Sequence, residues 1–173
     1  MTGLDNLLAG IRGGDALTTG ASNVFIGTDA GTAATTATDC IAIGKGAYST
    51  ATTGTINKNV AIGSSTLAGA SNSSTDCVAI GYNALLLATS AIQSVAIGSK
   101  ALDACTTGNR NIAIGFDALT ALTTAADCIA IGPTALKGVT TPSNSKNIGI
   151  GLNAGGGLST GIENIIIGYE AGR

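Results

Sequence analysis

A five-residue phrase returns nine times along this chain: a small polar residue, Val or Ile, a small residue, Ile, Gly. Asn111-Ile112-Ala113-Ile114-Gly115 is its fullest form. With the glycine as position zero, the copies fall at Gly27, Gly44, Gly63, Gly81, Gly98, Gly115, Gly132, Gly151 and Gly168, at intervals of 17, 19, 18, 17, 17, 17, 19 and 17 residues. A near-fixed period below twenty means that each unit is one turn of a solenoid, with like residues stacked in columns.

The phrase predicts a short strand. Position −1 is Ile in every copy and position −3 is always Val or Ile, so β-branched residues alternate as they do in strands. Position −2 is Ala in six copies, with Phe25, Gly149 and Ile166 as exceptions. The small −2 column suits a narrow interior. The −3 and −1 columns then face outward, and Val60, Ile62, Val78, Ile80, Val95, Ile97, Ile112, Ile114, Ile129 and Ile131 form an apolar stripe that a soluble monomer rarely leaves bare. Burial about a threefold axis is the expectation for it. The nine glycines end each strand at a sharp turn.

A second strand is expected after each glycine, because position +3 is Ala in eight copies and +4 is Leu67, Leu85, Leu102, Leu119 or Leu136 in five. The fold class is therefore all-β: a parallel β-roll of nine to ten turns with two short strands per turn. Residues 23–173 form the roll. Residues 1–22 are either a degenerate first turn, since Gly10 precedes Gly27 by 17, or a cap with a short helix over Leu4 to Ile11. At +8 and +9 a Thr-Thr pair, or one close to it, recurs from Thr35-Thr36 to Ser159-Thr160, with Ser71-Asn72 departing furthest. Extra residues in the longer turns fall in one loop, as in Gly54 to Lys58 and Pro142 to Lys146, which places that loop at the surface.

Composition narrows the chemistry. There is no His or Trp, only 10% of residues are charged, and the net charge is −2. No base, metal cluster or cofactor motif converges, so no catalytic, cofactor or metal site is expected. Scattered basic residues give no footprint for nucleic acid. No apolar run approaches the roughly 18 residues of a membrane helix, so no membrane insertion is expected. Cys40, Cys77 and Cys128 share position −4 at least two turns apart, beyond disulfide reach, and read as small buried fillers. Asp39, Asp76 and Asp127 share position −5 on non-adjacent turns and read as solvated carboxylates. Tyr82, Phe116 and Tyr169 all occupy +1, where an aromatic ring can stack on a sugar, and are the candidates for surface recognition.

Gln93-Ser94-Val95-Ala96-Ile97-Gly98 and Asp76-Cys77-Val78-Ala79-Ile80-Gly81 resemble the repeated phrase of YadA-like trimeric adhesin heads. Similar repeats occur in bacteriophage tail fibres and virion appendages. The resemblance runs from about Asn23 onward and implies a left-handed parallel β-roll with three chains side by side. It differs in having Ala at +3 where the adhesins favour Ser, and in a longer repeat.

The opening Met1 to Asn6 lacks a basic stretch followed by an apolar one, so assembly without secretion is expected. The end, Gly168 to Arg173, stops in mid-turn, which predicts axial docking to another virion protein or to a further copy. The leading expectation is a non-enzymatic virion structural protein, a homotrimeric fibre, spike or decoration element. It would contact a host-surface glycan or protein through its variable loops. A bacterial surface adhesin or extracellular filament is the alternative, and an ice-binding solenoid with stacked threonines is the third.

Overall fold

The computed structural model describes residues 3–50, 57–69, 73–140 and 145–173. Each turn contributes one three-residue strand: β1 (Leu7–Ala9), β2 (Val24–Ile26), β3 (Ile41–Ile43), β4 (Val60–Ile62), β5 (Val78–Ile80), β6 (Val95–Ile97), β7 (Ile112–Ile114), β8 (Ile129–Ile131), β9 (Ile148–Ile150) and β10 (Ile165–Ile167). They form one parallel sheet in chain order. Phase is kept from strand to strand, so Val95 faces Ile112, Ala96 faces Ala113 and Ile97 faces Ile114. The chain is thus an all-β solenoid, and nine strand-to-strand steps of ~4.8 Å make it about 43 Å long. No helix occurs among the described residues. Leu7–Ala9 pairs in register with Val24–Ile26, and Gly10 has the same backbone twist as the later turn glycines.

The second strand expected at +3 and +4 does not form among the described residues, and the backbone shows why. Among the described residues, the 25 non-glycine residues with positive φ fall at just three phases, −5, +2 and +4. The +4 leucines have φ between 49° and 53°, which bends the chain where a strand would need it extended. The Ala-Leu pair is apolar because it faces inward. A left-handed leucine costs about 1–3 kcal/mol, and burying its side chain returns about 1.5–3 kcal/mol. Removing that side chain would add a cavity term, so the bent leucine is retained. The second line of inter-turn pairing lies elsewhere, at position −6, as single bridges joining Thr38, Asn57, Thr75 and Ile92.

Inside the roll, positions −2 and +4 share one space. Most turns pair a buried Ala at −2 with a buried Leu at +4, or with Tyr48 in the turn of Ala42. Where −2 is bulky, +4 is glycine. A Cβ on Gly31 would come within 2.4 Å of the Phe25 ring, and one on Gly14 within 2.9 Å of Leu8. The turn with glycine at both positions, Gly149 and Gly155, is filled from its neighbours: a Cβ on Gly155 would lie 2.7 Å from Leu136 and 3.0 Å from Ile166. Total volume is held nearly constant, as a close-packed interior requires.

Two polar columns tie turn to turn. At −4, the buried side chain of Asn111 accepts from the Cys128 N–H at 3.0 Å and donates to the Ala125 carbonyl at 2.9 Å. Asn23, Asn59 and Asn147 repeat that bridge. All four cysteines are buried and outside any disulfide. At −5, the turns between the aspartates carry cations, so the column reads Asp39, Lys58, Asp76, Gln93, Arg110, Asp127, Lys146, Glu163. Arg110 grips Asp127 at 2.6 and 3.0 Å, and Lys146 reaches Glu163 at 3.3 Å. Asp127 is thus one rung of a charge ladder, held by Arg110. Of the Thr-Thr column, Thr89, Thr106 and Thr123 each donate a hydroxyl to the +8 carbonyl of the next turn. Thr52-Thr53, Ser71-Asn72, Thr141 and the loop centres 54–56 and 142–144 lie outside the described residues.

The turn glycines are where the stack is tightest. Gly115 has φ +139°, and a Cβ there would sit 2.6 Å from the Gly132 carbonyl, whereas one on Gly46 would meet nothing nearer than 3.7 Å. Gly115→Ala should therefore cost at least about 3 kcal/mol in a urea titration, and Gly46→Ala only about 1 kcal/mol. Equal losses would refute the close-approach argument. The ladder makes a second prediction. The Arg110 hydrogen bonds hold the exposed Asp127 carboxyl below its ordinary range, so the pair's contribution is present above the unfolded carboxyl pKa and is lost as pH falls through the folded one. Arg110→Gln should shift the Asp127 titration upward in a carboxyl-detected NMR experiment; an unmoved titration would remove the pairing as its cause.

Candidate interaction face

The strands have one buried and two outward positions. In β3 to β9 the central residue is fully buried, while the flanking Val and Ile are half-buried or exposed. This follows from the alternation of side chains along a strand, with the −2 residue pointing into the roll. Val60, Val78, Val95, Ile112 and Ile129 form the −3 column, all half-buried. Ile62, Ile80, Ile97, Ile114 and Ile131 form the −1 column, of which Ile97, Ile114 and Ile131 are 36–38% exposed. Neighbours above and below cover the flanks of each side chain, and what remains uncovered is its outward methyl surface.

No charged residue interrupts either column. On the −5 side the stripe is bordered by the charge ladder. On the other side, past the glycine, lies the +1 column, where Tyr82, Phe116, Leu152 and Tyr169 are all exposed. The three aromatics marked for recognition therefore stand two residues along the chain from the outward isoleucines. They occupy separate turns, with Ser99 and Pro133 between them in the column. That contiguity could not be read from period alone, because it depends on which way each turn bends after its glycine.

Among the described residues, the buried thiols and the Tyr48 hydroxyl are disfavoured as anions. Burial pushes the Cys40, Cys77 and Cys128 thiols up and holds Cys105 at about 12, the opposite of an activated thiolate. Burial likewise raises the Tyr48 hydroxyl well above its usual range; that hydroxyl accepts a hydrogen bond from Asn59 Nδ2 at 2.8 Å. No group of three or more metal-ligating side chains comes together among the described residues. No family model matches the chain, and neither a curated protein nor a solved structure matches it.

Proposed function

We propose that this chain is the subunit of a non-enzymatic, side-by-side trimeric rod that serves as a fibre, spike or decoration element of a virion. The observation that carries the reading is the uninterrupted outward column of isoleucines, with Ile97, Ile114 and Ile131 over a third exposed in mid-stack. Two columns about 7 Å apart, running about 43 Å, make a stripe of roughly 300 Å². That is already as large as the biggest apolar patch on many monomers. It is well short of the ~800 Å² per partner of a standard interface, so one flat pairing would hold two chains weakly. About a threefold axis each stripe meets two neighbours, which together cover it.

The rod's mechanical role rests on its columns. Every turn is tied to the next by strand hydrogen bonds and, on most turns, by the −4 side chain as well. The likeness of the repeated phrase to YadA-like adhesin heads supports a second reading, display on a bacterial surface. Capsid and tail genes beside this one favour the virion; secretion genes favour the adhesin.

The assembly reading is tested by light scattering. The protein should run at three times the chain mass. Ile114→Asp, which would place an unpaired carboxylate in the seam at about 3 kcal/mol or more per chain, should give monomers or aggregates. Lys100→Asp, an exposed change in the +2 column, should leave the mass unchanged. A monomeric native protein, or a trimeric Ile114→Asp variant, would overturn the assignment of this face.

A further inference from the structure

The +2 column is a ridge that carries a side chain in every turn but one. It runs Arg12, Asp29, Gly46, Ser65, Asn83 and on to Glu170, each in the left-handed conformation. At Gly46 the ridge is missing, and the nearest atoms to a Cβ there are Ser49 Oγ at 3.7 Å and Ser65 Oγ at 3.9 Å. Over that gap opens a trough of roughly 500 Å³, within the size range of small-ligand sites. It reaches from the turn of Arg12 to that of Tyr82, across five turns and four steps of ~4.8 Å, about 19 Å along the rod.

The walls of the trough are chemically specific. At one end Arg12 is committed to Asp29, donating from Nη2 to Oδ2 at 2.9 Å and facing Oδ1 off-axis at 2.7 Å. Lys45, in the middle, makes no ion pair among the described residues. The three charges leave the trough at about +1 on a chain whose net charge is −2. Ser49, Ser64 and Ser65 line it with hydroxyls, and Tyr82, 54% exposed, closes the far end with a ring. Thr32 also lines the wall.

We propose that this trough binds a short linear oligosaccharide carrying a carboxylate, laid along the rod axis. The carboxylate pairs with Lys45, the sugar hydroxyls exchange hydrogen bonds with the serines, and a sugar ring stacks on Tyr82. A phosphate group fits the lining less well, because the one guanidinium present is already held by Asp29 and the aromatic ring would contribute nothing. The site goes beyond the rod reading and does not depend on it, since all its residues belong to one chain.

Isothermal titration of the full chain with a glucuronate-containing tetrasaccharide, with a sialylated trisaccharide, with the carboxyl-reduced form of each, and with inorganic phosphate tests the proposal. At least one acidic sugar should bind, and its reduced form about tenfold more weakly or worse. Lys45→Gln and Tyr82→Ala should each weaken binding similarly. Gly46→Asn should abolish it by filling the gap; Asn83 and Asn153 already hold this backbone conformation in the same column, so the variant should keep the native melting curve. No binding by either acidic sugar, equal binding of the reduced forms, inorganic phosphate bound in their place, or undiminished binding by Gly46→Asn would overturn it. Mass measured on the same samples separates this outcome from the fate of the assembly reading: trimers that bind nothing refute the trough alone, and monomers that bind refute the trimer alone.

Discussion

The close approach of backbone to backbone at the turn glycines is the constraint from which the rest of this structure follows. From Gly10 to Gly151 each turn glycine sits so near the carbonyl of the glycine in the next turn that a single methyl group would collide with it, at 2.5–2.7 Å. That contact fixes the spacing of turns at one end of every strand. Once the spacing is fixed, the −4 side chain bridges to the next turn's backbone, and the threonine hydroxyl at +8 finds the carbonyl below it. A wider stack would lose both, and would stretch the backbone hydrogen bonds that run from turn to turn.

The periodic phrase made the strand, its outward face and its glycine legible, since a residue pattern repeated in phase reports a shared backbone conformation. The half-turn after the glycine was not legible in the same way. Ala-Leu at +3 and +4 is apolar and reads as strand, yet Leu102 and its equivalents are left-handed, a conformation that leucine itself disfavours. Only the trade between −2 and +4 betrays it: Phe25 with Gly31, Leu8 with Gly14, Ile166 with Gly172. Compensating volumes are expected between residues that share a cavity, whereas two residues on separate strands of a roll would follow a looser rule. The charge ladder was obscured for a similar reason. Asp39, Asp76 and Asp127 stand out as a set, and the cations on the turns between them matter only once those turns are known to be stacked neighbours.

The left-handed residues also show how the strain is distributed. At −5 and +2 the conformation is occupied by Asp, Asn, Ser, Thr, Lys, Arg, Glu and Gln, and once by Gly46; these are mostly polar residues, some of which can satisfy local backbone groups. At +4 it is occupied by Leu or Tyr, whose burial offsets it, or by Gly where the space is already taken. No single turn gains enough from its small interior to stand alone, so the strain is tolerable only in an array. Local strain and collective stacking thus imply each other, and a stiff rod is the shape that results.

A rod of this kind has a particular difficulty with recognition. Columns of like residues present the same surface in each turn, which suits lengthwise packing against another rod and suits a compact ligand poorly. Selectivity then has to come from places where a column breaks its own rule. In the −3 and −1 columns there is no break, consistent with a seam that must match along its whole length. In the +2 column there is one, at Gly46, and the side chains around it are a free lysine, three serines and an exposed tyrosine. Regularity is the ground for proposing assembly at the isoleucine face and irregularity the ground for proposing binding at the trough, so the two proposals draw on opposite properties of one repeat.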